Sequence, residues 1–136
     1  MRLLLDTHIW LWSLQDPNRL GKRVQRELGN PENEKWLSPI STWEALTLHF
    51  KGRVVLLPNL QDWVARAASP FREAPLTHQI TLVARELVLP HQDLADRFLV
   101  ATAKVLGLTL VTADRALLEL SEISTIAHLE SGSFGH

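Results

Sequence analysis

Arg2-Leu3-Leu4-Leu5-Asp6-Thr7-His8 is an apolar run that ends on a lone carboxylate and passes at once into Ile9-Trp10-Leu11-Trp12. Three consecutive leucines ahead of an acid predict a short strand buried on both faces, the pattern of a parallel sheet. Asp6 then stands at the carboxyl end of that strand, the edge where open α/β sheets keep their ligand crevice. Asp6 or Thr7 serves equally well as the cap of the helix that follows.

Working outward, Thr7 to Leu14 predicts a helix stopped by Asp16-Pro17-Asn18, and Lys22 to Leu28 a short amphipathic one ended by Gly29-Asn30-Pro31. Glu34 to Ser38 is a weak second strand. Ser41-Thr42-Trp43-Glu44 opens a third helix that runs to about Lys51 and stops at Gly52. Arg53 to Leu57 reads as a short extended piece or a loop. Pro58-Asn59 starts a helix through Ala68, and Phe71 to Leu76 is a connector or an edge strand. Thr77 to Glu86 is helical, and Pro90-His91-Gln92-Asp93 is a loop leading into a helix over Leu94 to Leu106, with Gly107 as its C-terminal cap. Leu108 to Thr112 is the clearest strand, rich in branched residues. A short helix from Arg115 to Leu120 and a strand at Thr125-Ile126-Ala127 follow, and Ser131 to His136 forms a loose Gly/Ser-rich tail. Helices alternating with short apolar strands predict one α/β domain over residues 1–130 with a mostly parallel sheet of four to five strands.

Bulk composition agrees with a single globular domain. The 136 residues are 46% hydrophobic and 21% charged, with a formal net charge of −1. No global basic field draws in nucleic acid, so contact with a polyanion needs local Lys and Arg or a bound cation. No stretch approaches the roughly 20 apolar residues of a membrane span. Cysteine is absent, which rules out disulfides and thiolate metal sites and suits a cytoplasmic protein. Five tryptophans beside no tyrosine are enough to supply an interface as well as a core.

Asp6 and Asp114 each follow a predicted strand, while Glu44 and Asp96 each lie in the first turn of a predicted helix. In a parallel sheet those positions share one edge, so the four acids can converge. Each also has a local explanation. Ser41 and Glu44 fit a capping box, Asp93 can cap the helix whose first turn holds Asp96, and Asp114 can cap Arg115 to Leu120. Gathered carboxylates repel, so some protonate unless a cation neutralises them. Without cysteine or an HExxH pair, the donor set is the hard oxygen set of Mg²⁺ or Mn²⁺ rather than zinc. Such ions clamp phosphate oxygens and turn water into a nucleophile.

Four motifs in order, Leu4-Leu5-Asp6-Thr7-His8, Ser38-Pro39-Ile40-Ser41-Thr42-Trp43-Glu44, His91-Gln92-Asp93-Leu94-Ala95-Asp96-Arg97 and Val111-Thr112-Ala113-Asp114-Arg115, resemble those of PIN-domain nucleases. The likeness is to the VapC-type toxins of bacterial type II toxin–antitoxin systems and runs from Asp6 to Leu120. It implies a Mg²⁺- or Mn²⁺-dependent endoribonuclease, with a three-layer α/β/α fold, a homodimeric state and a cognate antitoxin that lays a tail across the active-site groove. On this resemblance Asp6, Glu44, Asp96 and Asp114 match the family acids that hold metal. Thr7, Ser41 and Thr112 match the hydroxyl positions beside them, and Asp93 is a cap or supporting residue. Arg97 and Arg115, each one residue past an acid, either face phosphate or hold the acids in place. Lys51 and Arg53 form either an RNA-contacting patch or a solvated pair. His8 and His91 lie near the acids in sequence, and Trp10, Trp12 and Trp43 are core residues first, with Trp10 or Trp12 also suited to a dimer or antitoxin contact.

Other classes fit less well. A receiver-type phospho-acceptor wants adjacent acids at its first strand and a lysine after a late one, and a haloacid-dehalogenase phosphatase wants an aspartate where His8 stands. A catalytically silent binding module of the same fold gives no reason for four acids. A DNA-directed nuclease of that fold would carry the same metal site, and the short chain without inserted helical arches favours the RNase.

Overall fold

The computed structural model describes residues 1–89 and 93–128. Its centre is a five-stranded sheet in the order β3-β2-β1-β4-β5, with every pairing parallel. The strands are β1 (Arg2–Leu5), β2 (Glu34–Leu37), β3 (Arg72–Glu73), β4 (Thr109–Thr112) and β5 (Ser124–Ala127). The helices are α1 (Thr7–Gln15), α2 (Lys22–Gly29), α3 (Pro39–Phe50), α4 (Leu60–Ala68), α5 (His78–Glu86), α6 (Leu94–Leu106) and α7 (Arg115–Leu118), with a 3₁₀ turn at Pro17–Arg19.

The leucine run behaves as its composition requires. Leu3, Leu4 and Leu5 are all fully buried, and successive side chains enter opposite layers because the strand repeat is two residues. Leu3 and Leu5 pack with Ile9 and Trp10 of α1, Val24 of α2 and Trp63 of α4. Leu4 packs on the other side with Ile80 of α5, Leu99 of α6 and Leu117 of α7. The sheet is therefore the middle of three layers, as the resemblance implies. Each fully buried leucine contributes about 1.5–3 kcal/mol, so the central strand is fixed from both faces.

The chain winds outward from β1 through β2 to β3, then returns to place β4 against the other side of β1. Leu3, Leu4 and Leu5 stand in register with Thr109, Leu110 and Val111. That reversal makes the carboxyl ends of β1 and β4 the topological switch point, where a ligand crevice opens. Asp6 N donates to Val111 O at 3.0 Å, which carries the pairing one residue past the strand and sets the acid at this edge.

Three local expectations change and one open alternative is decided. Helix α3 starts at Pro39, two residues before Ser41, because proline at its first position is pre-set for a helix and Ser38 Oγ accepts from Ile40 N at 3.1 Å. The Phe71 to Leu76 segment resolves into the two-residue edge strand β3. Helix α4 begins one residue after Asn59, which caps it through Asp62 N. The last helix is one turn, ending at Leu118. The expected loop at Pro90 to Gln92, with His91, and the tail from Ser131 lie outside the described residues.

Candidate active site

Asp6 is a buried cap. It is 9% exposed, its Oδ1 accepts from His8 N at 3.3 Å, and its Oδ2 accepts from Thr112 Oγ1 at 2.6 Å. Thr112, fully buried at the end of β4, also accepts from Asp114 N at 3.0 Å. One hydroxyl thus links the acid after β1 to the backbone of the acid after β4. Asp114 caps α7 through Ala116 N at 2.8 Å. Capping and convergence hold together at both positions.

Glu44 does not close a capping box. With α3 starting at Pro39, Ser41 is inside the helix and Glu44 is one turn further along, turned inward to hydrogen-bond Thr7 Oγ1. Ser41 Oγ, fully buried, lies 3.0 Å from the same hydroxyl. Thr7 and Ser41 therefore tie α1 to α3 and aim Glu44 at the switch point. Asp93 caps α6 by accepting from Asp96 N at 2.9 Å, and Asp96 occupies the first turn beyond it.

These acids meet. Asp6, Glu44, Asp93, Asp96 and Asp114 line one cleft of about 500 Å³, together with His8, Trp12, Arg19 and Ala113. Its electrostatics are dominated by lost hydration and like charge. Burial pushes Asp6 up, opposed by its bonds from Thr112 and the His8 backbone. Burial also pushes Glu44 up, with Thr7 opposing and Asp93 and Asp6 reinforcing. Asp96 is pushed up to about 8, first by burial and then by Asp93, Asp6, Asp114 and Glu44. All four neighbours that act on Asp96 carry the same sign.

Burial and the like charge of its neighbours favour the protonated form of Asp96 at neutral pH, and a cation relieves that repulsion by displacing the proton. The donors are all carboxylate and hydroxyl oxygens, which suits a hard divalent ion. Among the described residues no three acids or histidines already stand close enough to form a coordination shell. The chemistry and charge of the site fit such an ion, held directly or through water.

None of Arg97, Arg115, Lys51 and Arg53 is among the described residues that line the cleft. Arg97 Nη1 donates to the carbonyl oxygens of Ala84 and Leu87, both at 2.9 Å, which fastens α6 to the end of α5. Arg115 is exposed on α7 and is absent from the cleft lining. Lys51 and Arg53 are exposed just past the carboxyl end of α3, and neither lines the cleft. Helix α3 leaves the site as it runs, so its last turn is remote from Glu44. Of the aromatic candidates, Trp10 is core, donating Nε1 to Ala67 O at 3.2 Å, and Trp12 and His8 line the cleft. Trp43, expected inside, is 58% exposed.

Arg19 and His128 are functional-site neighbours that sequence patterns do not single out. Arg19 closes a 3₁₀ turn and stands 4.3 Å over the Trp12 ring, and His128 packs on Trp12 at 4.9 Å. Neither belongs to a spaced motif, and only the tertiary fold brings them to the acids.

Comparison with known proteins agrees with this geometry. The family model described as PIN domain matches residues 3–123. No curated protein matches the sequence. Among solved structures, a chain of VapBC2 from Rickettsia felis, bound to a promoter DNA fragment, superposes with a TM-score of 0.66 at 15% identity, covering 93% of this chain and 98% of that one. A chain of VapBC-1 from nontypeable Haemophilus influenzae gives 0.65 at 16%, covering 94% and 98%. A chain of FitAcB from Neisseria gonorrhoeae gives 0.59 at 23%, covering 93% and 97%. At these identities the likeness is one of fold.

Proposed function

This chain belongs to the PIN-domain family, whose members are metal-dependent nucleases, and from that premise we propose that it is an endoribonuclease acting as the toxin of a type II toxin–antitoxin pair. The observation that carries the nuclease reading is the cleft itself: five carboxylates from four separate stretches of chain, with burial and like charge pushing Asp96 up to about 8. The cleft's carboxylates outnumber the one fixed cation of the described lining, Arg19, five to one, an excess that a bound cation would offset.

Asp6, Glu44 and Asp96 would hold Mg²⁺ or Mn²⁺, which when bound supplies the positive charge that stabilises an in-line phosphodiester displacement and acidifies the attacking water. The chain's own part is positional. Thr112 and the His8 amide fix both oxygens of Asp6, and Thr7 fixes one oxygen of Glu44. Asp114, whose Oδ1 caps α7, would help hold a second ion or orient the water. Asp93 supports the site as the α6 cap.

Two supports favour protein partners. The similar folds come from structures named as VapBC or FitAcB assemblies. The exposed Trp43 and Leu94 flank an apolar hollow beside the cleft, suited to a second copy or an antitoxin segment.

Cleavage of total bacterial RNA by the purified, antitoxin-free protein, with Mg²⁺, with Mn²⁺ and with EDTA, tests the reading. Discrete fragments that need the metal and disappear in Asp6→Asn are expected. Folded wild-type protein that leaves RNA intact in both metals, or an Asp6→Asn variant of full activity, overturns it. Cleavage confined to DNA substrates would reassign the polymer while retaining the metal chemistry.

A further inference from the structure

The acidic cleft has a difficulty that its carboxylates cannot solve: the strand it is proposed to cleave is itself a polyanion. Among the described lining residues one side chain is permanently cationic, Arg19. The Pro17–Arg19 turn holds its backbone, with Arg19 N donating to Asp16 O at 3.0 Å and Leu20 N to Pro17 O at 3.2 Å. Its guanidinium stacks 4.3 Å from the centre of the Trp12 ring, a cation–π contact. Trp12 is itself backed by His128 at 4.9 Å and His8 at 5.9 Å. His128 is anchored through its N–H to Thr112 O at 2.9 Å and accepts at Nδ1 from Gly21 N at 3.4 Å. The turn bearing Arg19 is thus tied to the end of β4, where Asp6 and Asp114 meet.

Arg19 shares the cleft with five acids and pairs with none: among the described residues no carboxylate comes within ion-pairing distance of its guanidinium. Nor does its side chain donate a hydrogen bond to any described group. Tryptophan holds the planar fork in place while its donors stay available to a ligand. An arginine braced on an aromatic ring and left with free donors is arranged for bidentate capture of phosphate.

We propose that Arg19, propped by Trp12, is a positioning residue that grips a backbone phosphate of the RNA neighbouring the scissile one. This rests on the nuclease reading and adds to it the contact that keeps an anionic strand in an acidic groove. The neighbouring phosphate is unchanged as the reaction proceeds, so its contact strengthens substrate and transition state equally and is felt in KM.

The test compares cleavage of one RNA oligonucleotide by the wild type, Arg19→Gln and Arg19→Lys, in the divalent metal that supports activity, over a series of KCl concentrations. Loss of a charge-assisted contact predicts a KM for Arg19→Gln raised about tenfold or more, with kcat little changed. The slope of log KM against log salt should fall by about 0.7, the share of one single-strand phosphate contact. Arg19→Lys should keep that slope with an intermediate KM, since it retains the charge and loses the stacked fork. Unchanged KM in Arg19→Gln, or a raised KM with an unaltered salt slope, overturns the phosphate contact and leaves the nuclease reading standing. A wild-type protein that cleaves no RNA overturns both. Arg19 is exposed, and matching melting temperatures for the variants confirm that differences in KM do not come from unfolding.

Discussion

A carboxyl group that holds its proton to about pH 8, as Asp96 does, makes folding and metal binding compete over the same charge. The folded chain binds a proton at Asp96 that the unfolded chain, with an ordinary carboxylate, releases near 3.8. Between those two values the native state is the more protonated, so the metal-free fold loses stability as pH rises toward 8. Asp96→Asn is expected to raise the metal-free melting temperature at pH 8 and to flatten this dependence, while abolishing both cleavage and the stabilisation given by added Mg²⁺. Metal affinity of the wild type should itself climb with pH until the proton has left. A thermal melt series in EDTA and in Mg²⁺ reads all three, and a variant as pH-dependent as the wild type would contradict them. Thr112 belongs to the same scale. Its buried hydroxyl serves Asp6 and the Asp114 amide together, so Thr112→Val leaves two buried polar groups unpartnered. The expected loss is about 1–3 kcal/mol by urea denaturation, with Thr112→Ser close to wild type.

At the level of elements, the start of α3 decides where Glu44 points. Ser38 is fully buried and supplies the cap, so Ser38→Ala should cost about 1 kcal/mol and loosen the helix end that carries Ser41 and Glu44. At the other end of the fold, Gly107 caps α6 with φ at +66° and nothing within 4 Å of where a Cβ would stand. Gly107→Ala therefore meets no clash, and its expected cost of about 1–2 kcal/mol is the backbone penalty alone. Denaturant titrations of the two variants measure these terms separately. The same elements show what sequence makes legible. Strands β1 and β4 and helix α6 were readable because buried branched runs and a glycine stop speak for themselves. Strand β3 is legible only as one of two alternatives: two residues hold no periodicity, and pairing with β2 decides for the strand. The capping-box reading of Ser41 and Glu44 failed because Ser38-Pro39 offered a better start two residues earlier. The four acids could be placed on one edge by topology, whereas Arg19 reaches them from a turn that no spacing rule connects to the site. Lys51 and Arg53 follow the last turn of α3 and lie outside the cleft lining, a placement that their position in the sequence does not reveal.

For the molecule as a whole, one feature that the described residues leave uncovered is the apolar surface where α3 and α6 begin. Trp43 and Leu94 are each 58% exposed, and with Pro39, Ile40 and Leu76 they enclose a hollow of about 290 Å³. An isolated domain gains nothing by leaving a tryptophan in water, since its ring would contribute several kcal/mol if covered. The patch also lies one residue from Glu44 and two from Asp96, so whatever covers it touches the segments that carry half of the principal acids. A net charge of −1 sets little repulsion against a second copy of the chain. A homodimer built on this surface would centre on Trp43 rather than on Trp10 or Trp12, since aromatic anchors carry most of an interface's energy. Trp43→Ser is expected to weaken self-association by about 2 kcal/mol or more, roughly thirtyfold in Kd, while barely moving the melting temperature of the monomer. Sedimentation velocity over a concentration series distinguishes the outcomes. A wild type that stays monomeric throughout, or a Trp43→Ser protein that dimerises as tightly as the parent, would mean that this surface is not where two copies meet. Trp43→Phe, which keeps most of the apolar area, should fall between, because the ring's burial rather than its indole N–H drives the contact.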